Sequence, residues 1–200
     1  MKLIYASASP FVRKVHVALL ETGLIEQTEL AQVTTTPVNS DDNAIAANPS
    51  GKIPALILED GTTIYDSRVI CRYLNDRAEA NLYPQEDLWK LLTLEASADA
   101  IMEALVLMTY ERRIRPEELV YAPWIEAQWA KAERSIIAIN NERLDLLNGP
   151  LNMSQIAVAC ALNYADFRHA DRDWRGSAPQ LAEWFEEFSK RPAMASTVPA

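Results

Sequence analysis

Asn48-Pro-Ser-Gly-Lys-Ile-Pro-Ala-Leu-Ile-Leu-Glu-Asp-Gly-Thr-Thr-Ile-Tyr-Asp-Ser67 decides the fold of the first part of this chain. It opens as a turn-rich segment bracketed by prolines. Residues 55–59 and 62–65 then alternate around Asp60-Gly61, a strong hairpin signal. Asp66 and Ser67 are both good capping types, and the pattern behind them predicts a helix through Leu74. Upstream, residues 2–6 read as a short strand. Ser9-Pro10 then sets a capping hydroxyl before a proline at the first helical position. Val12, Val15, Ala18, Leu19 and Thr22 recur every three or four residues and Gly23 supplies the stop, so this helix covers residues 10–22. Residues 28–33 form a second strand, 34–43 a polar loop, and a short helix includes 44–47. Strand, helix, strand, helix, hairpin and helix within residues 1–78 make an α/β unit.

The pattern then changes. Residues 79–86 read as a linker, and from Asp87 onward there is no strand pattern. Leu88, Leu91, Leu92, Ala98, Ile101, Met102 and Leu105 give one helical stripe; Ile125, Trp129, Ala132, Ile136 and Ile139 give another, ended by Gly149-Pro150. Residues 156–167 are almost wholly apolar, which implies a helix buried inside a bundle. Leu181, Trp184, Phe185 and Phe188 mark a last helix before Pro192. The expected organisation is an α/β domain at 1–78 and an all-α domain at 87–200.

Composition narrows the function. The chain has 200 residues, 49% hydrophobic and 24% charged, which excludes a wholly disordered chain. Net charge is −9: residues 1–78 hold 7 basic and 9 acidic side chains, the remainder 12 and 19. That sign disfavours non-specific nucleic-acid binding. The longest apolar run, residues 156–162, is far short of the ~20 that cross a bilayer. The first residues faintly imitate a signal peptide, but Pro10, Arg13, Lys14 and His16 interrupt it. Cys71 and Cys160 lie singly in apolar helical patterns, as buried thiols of a cytoplasmic protein do.

Three features carry chemistry. The first-turn N–H groups of the helix behind Ser9 are unpaired and its dipole is positive there, so a thiolate is stabilised and the Ser9 hydroxyl can donate to it. Ile53-Pro54, directly before a strand, is a natural place for a cis bond, leaving the Ile53 backbone open to an extended peptide. At the next helix start, N–H groups and the Ser67 hydroxyl suit a carboxylate, while Asp66 suits an ammonium. Together they describe a thioredoxin-like receptor for a small γ-linked peptide thiol. His16 and His169 lack ligand spacing and are expected at the surface or in caps. Arg112, Arg113 and Arg115 are expected at a solvated helix end, and Tyr110, Trp124 and Trp174 in a core or an interface. No phosphate loop, metal set or nucleophilic triad stands out.

Residues 7–15, 48–54 and 66–74 resemble the N-terminal domain of cytosolic glutathione transferases, notably bacterial serine-type members. Residues 151–162, Asp166-Phe-Arg168 and Arg191-Pro-Ala-Met194 are similar to that family's C-terminal helices, so the resemblance spans the chain. Where the family places Ser or Thr and then Asp as a capping box, this chain has Asn152 and Gln155, which cap equally reciprocally. The resemblance implies a thioredoxin-like domain followed by a helical bundle. It implies glutathione as co-substrate, its thiol activated for attack on a small hydrophobic electrophile, a detoxification chemistry, or for peroxide reduction. A non-catalytic interaction module and a glutathione-dependent disulfide reductase are the rival functions; the latter lacks a Cys at position 9. By resemblance the thiol-facing group is Ser9, with Ser7 and Tyr5 as alternatives. Ile53 pairs with the glutathione backbone, Asp66 and Ser67 take its γ-glutamyl end, and Lys52 meets the glycine carboxylate. Phe11 and Tyr110 line the second-substrate pocket, no metal takes part, and the chain forms a cytoplasmic homodimer.

Overall fold

In the computed structural model, which describes residues 1–199, the chain divides into two units. Met1–Tyr83 and residues 192–199 form the first; Pro84–Arg191 form the second. β1 (Lys2–Tyr5) is central in a sheet of order β2-β1-β3-β4. It pairs in parallel with β2 (Glu29–Gln32) and antiparallel with β3 (Ala55–Ile57), which pairs antiparallel with β4 (Thr63–Ile64). Parallel neighbours need a crossover, and α1 (Pro10–Glu21) supplies it. Its stripe of Val12, Val15, Ala18 and Leu19 is fully buried, and it packs against α3 (Ser67–Arg77), whose Ile70, Cys71 and Leu74 are fully buried too. α2 (Asp42–Ala47), capped by Asp41, sets Ala44 and Ala47 against Ile4, Val33 and Ala55.

The second unit is helical: α4 (Leu88–Ile114), α5 (Ala122–Glu142), α6 (Met153–Arg168), α7 (Trp174–Ser177) and α8 (Pro179–Phe188). α4 packs on both α5 and α6. The apolar run expected inside the bundle is buried from Met153 to Leu162 along α6. Its start is tied by a reciprocal pair: Gln155 N–H donates to Asn152 Oδ1 at 3.1 Å, and Asn152 N–H donates to Gln155 Oε1 at 3.0 Å. Cys71 and Cys160 are buried and not in a disulfide. No described helix is long and apolar enough to cross a membrane.

The tail departs from the expected boundary. α9 (Pro192–Ala195) packs on α1 rather than with the helical unit. Arg13 is the reason: its guanidinium donates to Met194 O at 2.9 Å and to Thr197 Oγ1 at 3.2 Å. A buried guanidinium requires such acceptors, and the returning chain provides them. His169, expected at the surface or in a cap, does cap α6, yet it is 1% exposed.

Candidate functional site

Strand register sets the site. Ile4 lies opposite Ala55, and Leu56 opposite Ile64. The end of β1, the entry to β3 and the end of β4 therefore share one edge of the sheet. From that edge the chain passes into α1 through Ser9, arrives at β3 through Ile53 and Pro54, and passes into α3 through Asp66 and Ser67. Four residues singled out in the sequence are thus delivered to one edge by three separate segments.

Ser9 is the N-cap of α1, with Pro10 behind it. Its Oγ accepts from Val12 N–H at 3.3 Å. That bond uses an acceptor lone pair and leaves the hydroxyl hydrogen uncommitted among the described residues. The cap and a donated hydrogen bond to a thiolate are therefore compatible. Ser7 sits in the turn before the helix. Tyr5 ends β1 half-buried, its ring edge-on to His16 at 5.5 Å between centroids. Burial, assisted by the Arg13 charge, pushes the His16 pKa down.

The loop before β3 is locked from within. Asn48, buried, donates from Nδ2 to Lys52 O at 2.9 Å and accepts the Ser50 N–H at 3.1 Å and the Ser50 hydroxyl at 2.9 Å. Gly51 has φ +67°, and a Cβ there would lie 2.7 Å from Ser40 Oγ, so both backbone angle and space demand glycine. Ile53–Pro54 is cis, as the sequence led us to expect, and so is Tyr65–Asp66. Among the described residues Ile53 makes no hydrogen bond through its backbone N–H or C=O. Lys52 is exposed and in no ion pair among them.

At the start of α3, Asp66 Oδ1 accepts the Arg68 N–H at 3.0 Å and its Oδ2 meets the Arg68 guanidinium at 2.9 Å. Burial opposes the Asp66 charge, but the Arg68 contacts and the Lys14 charge outweigh it and hold the carboxyl below the usual range. Ser67 is 3% exposed, and its hydroxyl has no hydrogen bond among the described residues. A nearly buried hydroxyl without a partner, on the first residue of an 11-residue helix, suits an anion. Lys14 is a participant that sequence reading missed. It is completely buried on α1, and its charge reaches Asp66. Phe11 is half-buried on α1, and Tyr110 is half-buried on α4 of the helical unit.

Residues 8–77 match the family model for the glutathione S-transferase N-terminal domain, and residues 122–187 match that for its C-terminal domain. The chain belongs to the glutathione S-transferase family. Among curated relatives this family member is 33% identical to an uncharacterized GST-like protein, YibF, of Escherichia coli K12, over 100% of this chain and 98% of that protein. A glutathione transferase family member from Pseudomonas fluorescens Pf-5 has been solved with bound glutathione. It is 42% identical, with TM-score 0.97 over 100% of this chain and 98% of that one. A second structure from the same bacterium, with bound S-(propanoic acid)-glutathione, is 42% identical with TM-score 0.92 and full coverage of both chains. The thioredoxin-like domain and helical domain anticipated from the sequence are the architecture of this transferase family.

Proposed function

We propose that this chain is a glutathione transferase that activates the glutathione thiol at Ser9 and conjugates it to a small electrophile. The observation that carries this reading is the Ser9 hydroxyl: its acceptor side caps α1 while its hydrogen stays available at the helix terminus. A thiol with pKa near 8.5 must fall by roughly two units to be mostly ionised at neutral pH, about 2.7 kcal/mol. One charge-assisted hydrogen bond and a helix N-terminus are of that size. Ile53 pairs with the tripeptide backbone. Ser67 and the α3 N–H groups take the γ-glutamyl carboxylate, Asp66 its ammonium, and Lys52 the glycine carboxylate. The bound glutathione and S-substituted glutathione of the Pseudomonas structures support binding and conjugation. A disulfide reductase is disfavoured, because a serine stands where that chemistry needs a thiol.

Calorimetry with glutathione tests the assignment. Asp66→Ala is expected to weaken binding by a factor of about ten or more, the scale of a lost hydrogen bond to a charged group. An unchanged dissociation constant overturns the placement. Turnover of a generic aryl halide then separates an enzyme from a binding module, and turnover of cumene hydroperoxide alone would make the reaction peroxide reduction.

A further inference from the structure

The thiol chemistry leaves one buried imidazole unused. His169 closes α6, its backbone N–H donating to Ala165 O at 2.8 Å, and its ring reaches α4. Nε2 lies 3.0 Å from Leu105 O and 3.2 Å from Thr109 Oγ1. The Thr109 hydroxyl donates to Leu105 O at 2.9 Å and accepts the Tyr164 hydroxyl at 3.2 Å. Leu105 O only accepts, so the ring hydrogen sits on Nε2. Nδ1 is buried and has no partner among the described residues. A second proton would go to Nδ1, where burial withholds both water and an acceptor.

The charged neighbours do not relieve this. Asp171, in the turn after α6, pairs with Arg112 of α4 at 3.7 Å, and Glu126 of α5 accepts from Arg172 at 2.9 Å, so both carboxylates are engaged. Burial, helped by the Arg112 and Arg172 charges and opposed by the Leu105 bond and Asp171, pushes the His169 pKa down. Burial raises that of Tyr164, which stays a neutral donor. Residues 167–173 also form a loop closed at its base. Asp166 accepts Trp174 Nε1 at 2.8 Å and Arg175 Nη2 at 2.8 Å, and Trp174 is buried. Within residues 167–173 His169 alone is buried. The loop's ion pairs at Asp171 and Arg172 are partly exposed, and such pairs contribute little.

We propose that His169 is a pH-sensitive catch: when its imidazole takes a second proton, residues 167–173 come away from α4 while the rest of α6 stays packed. The inference stands on the helical unit alone and does not depend on glutathione. Once released into water, the imidazole titrates near 6.5. The released loop then binds a proton that the closed loop refuses. The catch is therefore whole above that pH, and each unit below it favours release by up to about tenfold. The bonds at Asp166 lie outside the cluster and bound the opening, which makes it a local event distinct from global unfolding.

Amide hydrogen exchange on the full chain at pH 7 and pH 5.5, corrected for intrinsic rates, tests the catch. The His169 and Arg172 N–H groups, which donate to Ala165 O and His169 O, report its opening. Residues 158–162, in the buried middle of α6, report global unfolding. Protection at the two reporter amides is expected to fall about fivefold or more at pH 5.5. Its denaturant dependence is expected to be weaker than at residues 158–162. His169→Gln keeps a donor for Leu105 O but takes up no proton, and is expected to abolish the fall. Equal protection at the two pH values overturns the proposal without any variant. So does a fall that matches residues 158–162 in size and denaturant dependence, because the event is then global unfolding. A fall that survives in His169→Gln overturns it as well.

Discussion

Ser9 and Lys14 lie five residues apart on the same helix, yet only one was legible in the sequence. A serine before a proline at a helix start is a local signal, because capping is a matter of adjacent backbone groups. Asp66 and Ser67 were legible for the same reason. Lys14 shows no local signal of burial, yet in the folded chain it is completely buried and its charge bears on Asp66. Two substitutions test these residues. Ser9→Cys removes a serine cap, at a cost of about 1 kcal/mol, and places a thiol at a helix N-terminus, where thiols become acidic. Exposed to oxidised glutathione, the variant is expected to form a mixed disulfide at position 9, seen by mass spectrometry, with Cys71 and Cys160 unmodified. It is also expected to lose conjugation. Conjugation at the normal rate with position 9 unmodified would move the catalytic role to Ser7 or Tyr5. Lys14→Met is expected to raise the Asp66 pKa by removing a favourable charge. NMR titration of the Asp66 carboxyl carbon reads this directly, and an unmoved titration would separate the two residues.

Among elements, α6 was the most legible, since twelve nearly unbroken apolar residues have nowhere to go but a bundle interior. Its start was legible too. Asn152 and Gln155 sit at the spacing of a capping box, and the structure has both reciprocal bonds, with Gln155 Nε2 also donating to Leu147 O at 2.9 Å. Asn152→Ala is therefore expected to cost about 2 kcal/mol, the upper end for a cap because the freed partners are buried. Chemical denaturation reads it, and a loss under half that size would mean the cap is redundant. The other end of α6 was not legible, because the partners of His169 come from α4. His169 Nε2 lies 3.0 Å from Leu105 O and 3.2 Å from Thr109 Oγ1. Since Leu105 O only accepts, the network assigns the hydrogen to Nε2 and leaves buried Nδ1 without a partner. A second proton would have no acceptor, and burial lowers the His169 pKa. The unfolded chain then takes up that proton first. Stability is whole above the unfolded value of about 6.5 and falls as pH drops below it. His16, also lowered, acts in the same direction. The denaturation midpoint is expected to fall between pH 7.5 and pH 5, less steeply in His169→Gln; equal slopes would exonerate His169.

At the scale of the whole molecule, the two-part division was legible from the change in periodicity, and the return of the tail was not. Nothing local in residues 192–199 distinguishes a last turn of the bundle from a segment of the first unit. The deciding bonds join Arg13 to residues more than 180 positions away in sequence, beyond the reach of any pattern. Assembly lies equally outside local pattern, and family resemblance alone raises it. Trp89 and Leu107 on α4 leave apolar surface exposed, at 79% and 38%. Light scattering is expected to give twice the 22.4 kDa of one chain; a value near one chain at micromolar concentration would refute the homodimer. The tail makes the sharper case. A chain ending at Arg191 keeps every strand of the sheet and every helix of the second unit, but it deprives the Arg13 guanidinium of Met194 O and Thr197 Oγ1. Losing two hydrogen bonds to a charged group costs about 3 kcal/mol. α1 bears that loss, and α1 carries Ser9. The shortened chain is therefore expected to lose both stability and glutathione affinity. Arg13→Met in the shortened chain should recover part of the stability, because the cation that lost two acceptors is gone. If Arg13→Met instead lowers stability equally with and without the tail, the tail bonds contribute nothing and the α1–α9 packing alone holds the segment.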